Sequence, residues 1–465
     1  MKMYRVLKGA TAAVVFAAVS QTAFAADWVD DWKAFAAQTG EARHAQWAEL
    51  IGQPEARALE KDWAAFRGYT ASSLIAAENV PAEIKPGLVI TKANIDSIPG
   101  LDKYLPKVWF DRLKSDWYPI KELRIVPTNH YYMERPVLEA TETLKGKALS
   151  VDATGNIMGA EGQLAVLSDT GLPFTEPKNG LELNWLTVLH GVGVEDLMFD
   201  PISMYSCDGS NTQDRKYEAY IWWRKMAGRV DDAPLGNVPG FEGAQEAGAL
   251  LITSPRDVRG LAGVRIRYAD TDRDDDFKVF IPSLRRTRTL TGANGQDPIA
   301  AGLELTWDEW RSYWTKTDAR KFDYELVREG FVLGQPETGH AYMPAQFTPD
   351  RCGADWVELE LRPVWVLDIN DKTGNYQYAK RRIYVDKELY YTQYTEMYDR
   401  RGELWRIWDD SRDWEPATGR AMWRDVFQWN IISNRASVLE MNAAWEKREA
   451  MNSSLFDIDQ LRDYR

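Results

Sequence analysis

Apolar and polar residues alternate along short stretches of this chain, most clearly in GVRIRYA and FKVFI, which flank an acidic turn. Such alternation has the period of a β-strand that buries one face and exposes the other. The pattern predicts two antiparallel strands whose apolar side chains share one buried face. These side chains belong to Val264, Ile266, Tyr268, Phe277, Val279 and Ile281.

Nine stretches of this kind follow one another between residues 217 and 408, with turn residues between them. They read YEAYIWW, GALLITS, GVRIRYA, FKVFIPS, RTRTL, WVELELRPVWVLD, QYAKRRIYVD, LYYTQYTEMYD and ELWRIW. A parallel α/β sheet would need a helix after each strand, so this spacing favours a meander. We expect a mainly β (α+β) fold built on a large curved antiparallel sheet or half-barrel with packed helices.

The remaining segments complete the predicted organisation. Aromatic residues recur among alanine and charged residues from 27 to about 80, which predicts a helical arm packed on the sheet. Between 121 and 200, LRIVP, KALSVDA and QLAVLSD predict further strands and Asn179-Gly180 predicts a tight turn. Asp457 is the predicted cap of a last short helix. The predicted segments are a signal peptide (1–25), a helical N-terminal segment (26–120), an N-terminal strand block (121–200), the antiparallel sheet (201–435) and a C-terminal helical tail (436–465), and one domain or two are left open.

The N-terminus has the pattern of a secretory signal. Three basic residues precede an apolar run at 10–19, and Ala23-Phe24-Ala25 supplies the small-x-small cleavage site. No later stretch is long and apolar enough to span a bilayer, and no cysteine near the cleavage site can carry a lipid. We expect an exported, soluble, periplasmic protein that is not lipidated.

The net charge of the chain disfavours some classes of partner. Removal of residues 1–25 takes away three positive charges and no acids, so the net charge changes from −13 to −16. An acidic surface repels phosphate groups, which disfavours nucleic acid and anionic membranes as non-specific partners.

Cys207 and Cys352 are the only cysteines. An oxidising compartment favours one structural disulfide between them over two buried thiols.

Several segments resemble the DUF1329 family, whose members often carry the label outer-membrane lipoprotein-sorting protein. These segments are ITKANID with LDKYLP, RPVLEATETLKGKALSVDATG, GLPFTEPKNGLELNW, SPRDVRGLAGVRIRY with DDDFKVFIPSLRRTRTL, RRIYVDKELYYTQYTEMYDRRGELWR and FDIDQLRDY. Together they span most of the mature chain. The block from about 217 to 408 is also similar to the LolA/LolB-like superfamily, whose members fold a curved antiparallel sheet around helices.

The resemblance implies a function as well as a fold. LolA/LolB-like proteins hold acyl chains in an apolar concavity, so the implied role is a periplasmic carrier of a lipid or another hydrophobic molecule. The family's association with exporters of the resistance-nodulation-division (RND) type implies such a transporter and an outer-membrane protein as further partners. This chain lacks the acylated cysteine of LolB and has a large N-terminal portion that LolA lacks. The resemblance therefore implies hydrophobe handling and not lipoprotein sorting itself.

The candidate ligand-binding residues are apolar and lie on predicted strands. They are the six alternating residues named above together with Trp222 and Trp365, two of the 20 tryptophans. Aromatic side chains can line an apolar groove or stack on sugars, although most of them form core. Arg285, Arg286 and Arg288 are a candidate headgroup site, and a solvated ladder paired with nearby acids is the alternative.

Catalytic and metal-binding signatures are absent from the sequence. The four histidines lie in no zinc motif, Gly191-Val192-Gly193 lacks the third glycine of a dinucleotide loop, and no P-loop or nucleophile elbow occurs. The aspartates between 270 and 276 lack the glycine and glutamate of an EF-hand, which favours a solvated turn over a calcium site. We therefore predict a protein that is not an enzyme and needs no cofactor or metal.

Two alternative functions stay open. The tryptophans, with Glu358 and Glu360, are compatible with an envelope saccharide-binding protein or a carboxylate-based glycosidase, which needs paired carboxylates in an open cleft. Alternation places both glutamates on the polar face of one predicted strand, which is also ordinary sheet patterning. The other alternative is a scaffold that docks to an exporter without a ligand, and the absence of an apolar cavity would favour it.

Overall fold

The structure of the protein is a computed structural model that describes residues 27–114, 120–168, 171–210, 212–291, 295–338, 353–443 and 451–463. The predicted signal peptide and Cys352 lie outside the described residues. Cys207 is completely buried. Both the signal peptide and the disulfide therefore stay predictions.

Strands dominate the described part of the chain, and most helices precede them. The α-helices of the described residues are α1 (Trp28–Thr39), α2 (Ala42–Ile51), α3 (Pro54–Arg67), α4 (Ala71–Ala77), α5 (Lys107–Leu113), α6 (Arg135–Leu144), α7 (Gly180–His190) and α8 (Ile458–Leu461). The strands are β1 (Val89–Thr91), β2 (Ile120–Ile125), β3 (Ser150–Val151), β4 (Ile157–Met158), β5 (Asp196–Cys207), β6 (Gln213–Lys225), β7 (Ala244–Ser254), β8 (Ala262–Tyr268), β9 (Asp276–Ile281), β10 (Arg286–Thr289), β11 (Phe322–Gly334), β12 (Ala354–Asp371), β13 (Lys380–Asp386), β14 (Thr392–Tyr398), β15 (Leu404–Trp414), β16 (Ala421–Asn430) and β17 (Arg435–Ala443). None of the helices in these ranges combines the length and apolar character that crossing a bilayer requires.

Fifteen of these strands form one sheet. Its order is β1-β2-β12-β13-β14-β15-β16-β17-β5-β6-β7-β8-β9-β10, and β11 also pairs with β12. The strands pair in antiparallel fashion apart from β2 and β12, which run parallel. The predicted large, curved, mainly antiparallel sheet is confirmed, and it is open because β1 and β10 end it at separate edges.

The helical arm forms α1 to α4 in the segment where the sequence predicts helix. The Asp27 side chain caps α1 by accepting a hydrogen bond from the Val29 N–H at 3.1 Å. Pro54 occupies the first turn of α3, where its missing N–H costs no hydrogen bond. The arm packs on the sheet through tryptophans that are at most 1% exposed, namely Trp32, Trp47 and Trp63.

The strand interpretation of residues 121–200 is wrong for most of that block. Within this block only β2 and the beginning of β5 belong to the main sheet, the short strands β3 and β4 pair with each other, and QLAVLSD contains a 3₁₀ helix at Ala165–Leu167. Asn179-Gly180 makes no tight turn, because the Asn179 side chain accepts a hydrogen bond from the Glu182 N–H at 3.0 Å and caps α7. The same short polar side chain favours turns and helix caps, so its presence does not distinguish the two.

The helical interpretation of the tail is wrong at its beginning, where Arg435–Ala443 forms β17. This strand buries both faces: Val438 packs on one side of the sheet, and Leu439 and Met441 pack on the other. A strand that is apolar on both sides lacks the clean alternation that identifies a strand in sequence. At the end of the tail, Asp457 caps α8 as predicted, accepting from the Asp459 N–H at 2.8 Å.

The main sheet has two faces, which we name by their residues. Face A carries Trp365, Leu367 and Trp408, and face B carries Val366 and Ile407. Helices α1 to α3, α6 and α7, with the segment 299–314, pack on face A. Residues 84–113 and the C-terminal residues 451–461 pack on face B. The chain itself thus covers much of both faces.

The six alternating residues do not share one face, so that expectation is wrong. Phe277 lies opposite Arg265 in the β8–β9 register, and residues directly opposite in a pair point to the same side. Face A therefore holds Phe277, Val279 and Ile281, and face B holds Val264, Ile266 and Tyr268. Alternation shows which residues of a single strand share a face. The turn between two strands sets their relative register, and so decides which of these faces lie on the same side of the sheet.

The face B patch formed by Trp222, Val264, Ile266 and Tyr268 is covered by the C-terminal segment. The residues that pack on it include Met451, Leu455, Phe456, Ile458 and Leu461. Arg224 adds a polar contact, because its Nη2 donates to the Met451 carbonyl at 3.2 Å. The chain's own end thus occupies the surface where the pattern predicted a ligand.

The corresponding patch of face A is filled by two tryptophans. A Cβ placed on Gly263 would lie 2.5 Å from Trp307, and one placed on Gly248 would lie 2.7 Å from Trp314. The two rings therefore rest directly on the strand backbone. Arg265 holds this segment in place through a buried ion pair with Asp308 at 2.9 Å. The cavity that remains beside the rings is about 40 Å³.

Substitution Gly263→Ala should lower the free energy of unfolding by about 1–3 kcal/mol, because the added methyl overlaps the Trp307 ring and the packed core cannot easily move. Urea denaturation followed by tryptophan fluorescence measures the change. Gly209→Ala is the matched control, since its Cβ would meet its nearest neighbours at an ordinary 3.6 Å. Equal stability of the two variants would contradict the close packing of Trp307 on β8.

Candidate ligand-binding groove

An open groove of about 760 Å³ lies on face A, where the helical arm, α6, the segment before α7 and the sheet meet. Sites for small molecules usually have volumes of about 300–1,000 Å³. The groove is thus large enough for a small ligand, unlike the cavity of about 40 Å³ under Trp307.

The floor of the groove is an aromatic surface with one cation and one anion beside it. Trp365 of β12 is 3% exposed and stacks on Tyr390, with ring centroids 5.9 Å apart and planes 10° apart. The Lys387 ammonium lies 5.0 Å from the centre of the Trp365 ring and forms an ion pair with Glu329. The floor can therefore contact an apolar group and an adjacent charged group.

Aliphatic and aromatic side chains form the walls. Leu74 comes from α4, Leu144 from α6, and Leu172 and Phe174 from the segment before α7. This segment is attached to α6 by a hydrogen bond of 2.9 Å from the Leu172 N–H to the Thr141 hydroxyl. The walls thus come from three separate parts of the chain.

The rim of the groove is polar. Lys145, Lys147 and Lys178 line it and are exposed, and Glu176 and Glu182 add negative charge. Apolar walls below a charged rim suit an amphipathic ligand better than a purely apolar one. The geometry is thus different from the enclosed apolar concavity expected from the sequence.

A buried ionic network holds the floor in position. The Arg362 side chain is completely buried and its Nε lies 2.7 Å from Asp386 Oδ2, while Nη2 lies 2.8 Å from Glu388 Oε2. Its Nη1 donates to the Asn129 carbonyl at 2.6 Å. Asp386 and Glu388 flank Lys387, so Arg362 fixes the turn that places Lys387 beside Trp365.

The same network ties the helical arm to the sheet. Glu388 accepts hydrogen bonds from the Ala71 N–H at the start of α4 and from the Tyr131 N–H, both at 2.9 Å. The Tyr131 hydroxyl donates to Glu360 at 2.6 Å and accepts from the Glu337 N–H at 2.7 Å. Displacement of this network would therefore move both a wall and the floor of the groove.

Glu358 and Glu360 share face A, as alternation predicts, but neither faces an open cleft. Glu358 is 1% exposed and contacts Arg43 and His44 of the helical arm. Glu360 is completely buried, and burial raises its pKa to about 7 against the opposing effect of Arg362. Carboxylates buried under helices cannot flank a sugar, so these two residues do not form the glycosidase pair.

No group of three or more histidine, cysteine, aspartate or glutamate side chains among the described residues could hold a metal ion. The aspartates of the 270–276 turn are not all solvated, because Asp275 lies 3.0 Å from both Arg265 and Arg267. The expectation of a fully solvated turn is wrong for this residue.

A family model for proteins of unknown function, DUF1329, matches residues 89–462. This chain belongs to the DUF1329 family. The match includes β1 to β17 and all of the groove apart from the residues of the helical arm. A search of the curated proteins gives no match.

Solved structures similar to this DUF1329 chain match it at low identity. An outer membrane lipoprotein-sorting protein domain from Vibrio parahaemolyticus is 16% identical with a TM-score of 0.42, and the alignment covers 61% of this chain and 98% of that one. A DUF1329 family protein from Desulfovibrio piger is 13% identical with a TM-score of 0.40, covering 60% and 94%. A LolA superfamily protein from Nitrosomonas europaea is 12% identical with a TM-score of 0.36, covering 57% and 92%.

The structure brings few of the predicted ligand residues of this DUF1329 chain together. Trp365 lines the groove, whereas Trp222 and Phe277 line the cavity of about 40 Å³. The predicted headgroup residues Arg285, Arg286 and Arg288 are exposed on and beside β10 and line neither cavity. A ligand role for any of these residues stays a prediction.

The groove residues that sequence reasoning missed lie mostly outside strands. Leu172 and Phe174 stand on either side of Pro173 in GLPFTEP, and Pro177 follows, so two prolines interrupt regular structure here. Apolar residues in a proline-rich loop are a signal for a surface that binds something, because loops are usually polar. That signal indicates the segment but not which strand it faces.

Substitution Arg362→Met should lower the free energy of unfolding by about 3–5 kcal/mol, because three buried carboxylates lose their cation. Urea denaturation measures the change. Arg382→Met is the matched control, since Arg382 also contacts an aspartate through two nitrogens but is 29% exposed, and exposed pairs contribute about 0–1 kcal/mol. Similar losses in the two variants would contradict the central role of Arg362.

Stability should fall as the pH rises from about 5 to above 8, partly through Glu337. Burial raises the pKa of this carboxyl from 4.5 to about 8, although Arg412 acts against the shift. The native state therefore holds a proton that the unfolded state has lost, and the stabilisation present below pH 4.5 disappears as the pH passes 8.

Glu337→Gln should remove the part of this pH dependence that Glu337 causes, because glutamine imitates the protonated acid. That part is at most about 5 kcal/mol of the free energy of unfolding between low pH and a pH above 8. The measurement is urea denaturation at several pH values, with the exposed Glu403→Gln as control. An unchanged pH dependence in Glu337→Gln would contradict the assignment.

Proposed function

We propose that this protein binds an amphipathic molecule, such as a lipid, in the groove beside Trp365 and acts as a carrier. The observation that supports the proposal is the combination of apolar walls, an aromatic floor and a charged rim in one open groove of about 760 Å³. An apolar chain would lie against Leu144, Leu172 and Phe174, and its polar head would lie at the rim.

The walls can supply the affinity. Burial of each methylene contributes about 0.8 kcal/mol, so a chain of several carbons binds without a covalent attachment. Trp365 lines the groove in a position fixed by its stacking on Tyr390, and a fixed side chain loses little entropy on binding. An open groove also lets the ligand leave without unfolding of the sheet, as a carrier requires.

The rim can select the headgroup. Lys145, Lys147 and Lys178 would attract an anionic headgroup, and Glu176 and Glu182 limit how much negative charge the rim accepts. Lys387 is held by Glu329 at the floor and would contact a head that reaches past the rim.

The cellular setting of the proposal comes from the sequence. The predicted signal peptide at residues 1–25 supports a periplasmic location for the proposed carrier, and the family resemblance makes an RND-type transporter and an outer-membrane protein the proposed partners. In that setting the groove would receive a hydrophobic molecule from one membrane component and release it to another.

Titration with a fluorescent fatty acid tests the groove. Phe174→Glu and Leu74→Glu should each weaken binding by about tenfold or more, because a charge on the wall opposes an apolar chain. Both side chains are only partly buried, so the variants should fold. Leu235→Glu and Ile432→Glu are the controls, since these side chains are 65% and 63% exposed elsewhere.

Two results would overturn the proposal. Binding of the probe that is equal in the groove and control variants would place the ligand elsewhere. No probe binding by the folded wild type, together with no co-purifying hydrophobe in mass spectrometry, would favour the scaffold that docks to an exporter without a ligand.

A further inference from the structure

Five exposed arginines lie at one end of the sheet, far in sequence from the groove residues. Arg285, Arg286 and Arg288 lie on and beside β10, which is the last strand of the sheet order. Arg256 and Arg259 lie in the turn between β7 and β8. We call these five residues the arginine corner.

The fold brings the two groups of arginines together. Gly260 ends the β7–β8 turn, and a Cβ placed on it would lie 3.6 Å from Pro282 Cγ, just before β10. The two turns are therefore in contact. Arg286 and Arg288 lie two residues apart on a strand, so their side chains point to the same side of the sheet.

Asp257 lies between Arg256 and Arg259 in sequence, but it forms its ion pair with Arg215 and not with the arginine corner. Among the residues that the structure describes, none of the five arginines forms an ion pair, and Arg259 donates only to the Thr253 carbonyl at 2.8 Å. This is unexpected in a protein with 70 acidic and 57 basic residues. A cluster of unpaired cations in an acidic protein creates a local positive field that a partner with negative charge can use.

An exposed apolar side chain accompanies the charges. Leu284 ends the short 3₁₀ turn that precedes Arg285 and is 48% exposed. A leucine followed directly by arginines has the composition of a surface that enters a lipid interface, where the cations contact phosphates and the apolar tip enters the acyl boundary. An acidic protein segment would match the arginines but would leave the exposed leucine unexplained.

We propose that the arginine corner and Leu284 dock this protein on the surface of a bilayer that contains anionic lipids. Because the net charge is −13, the rest of the surface is repelled by such a bilayer and only this corner approaches it. The docking is weak, reversible and oriented. It does not depend on what the groove binds.

The ordinary explanation of the same residues is protection of a sheet edge. Charged side chains on a short edge strand prevent pairing with other chains. That role accounts for Arg286 and Arg288 but not for Arg256 and Arg259, which lie in a turn, nor for the exposed Leu284. The experiment separates the two explanations, because edge protection does not involve lipid.

Vesicle co-sedimentation of the full mature chain tests the proposal. Wild type should bind vesicles of phosphatidylglycerol and phosphatidylcholine, bind pure phosphatidylcholine vesicles much less, and lose binding as salt rises. The double variant Arg286→Gln/Arg288→Gln should bind about tenfold more weakly, and Leu284→Ser should also reduce binding. Thermal unfolding confirms that the variants fold.

Arg328→Gln/Arg401→Gln is the matched control, since both arginines are exposed on other strands or turns and the change in net charge is the same. Equal weakening in the control and the corner variant would overturn the proposal, because it would reflect net charge alone. Absence of binding to anionic vesicles would also overturn it. Capture by polyaspartate without vesicle binding would assign the corner to an acidic protein instead.

Discussion

The buried guanidinium of Arg362 links the main sheet to the segment before α6 and, through Glu388, to the helical arm. Its partners come from β12, from the end of β13 and the turn that follows it, and from residue 129 before α6. Three carboxylates around one cation are stable in the interior only when every lone pair and every N–H is directed at a partner. The helical arm, the wall residues that follow it and the floor turn must therefore dock together, and the groove exists because they do.

A sheet covered on both sides constrains where a ligand can lie. The alternating strands β6 to β9 would offer an apolar surface if they were bare, but Trp307 and Trp314 occupy one face and the C-terminal segment occupies the other. The groove lies instead at the margin of the covering helices, where the segment before α7 and Trp365 both line it. A carrier with a site at this margin exchanges ligand with solvent more readily than one whose site is enclosed by the sheet.

The groove and the arginine corner have different chemistry for different tasks. Apolar walls and a mixed rim favour an amphipathic molecule, whereas unpaired arginines with one exposed leucine favour a charged surface. The acidic remainder of the protein is important for both, because it opposes unspecific adhesion to anionic surfaces. A carrier that touches a membrane at one corner and remains repelled elsewhere can leave again.

The local sequence pattern was sufficient to predict the strands in which apolar and polar residues alternate. All nine stretches between 217 and 408 lie largely within strands, because period-two burial is a property of consecutive residues. The pattern did not identify β17, because both faces of that strand are buried. It also misassigned Asn179, because asparagine is common both in tight turns and at the start of helices such as α7. It also could not identify Leu172 and Phe174 as wall residues, since their position opposite Trp365 depends on contacts across nearly two hundred residues.

The sequence by itself determined the class of fold, the parity of side chains within each strand and the acidic character of the surface. Only the tertiary structure decided that Val264 and Phe277 lie on opposite faces, because a turn of a few residues sets the register between neighbouring strands. It also decided that the predicted ligand surface is covered by the chain's own residues and that Trp365 alone among the predicted residues lines the groove. Those outcomes depend on which distant segments meet, and residues far apart in sequence leave no local pattern that records their contact.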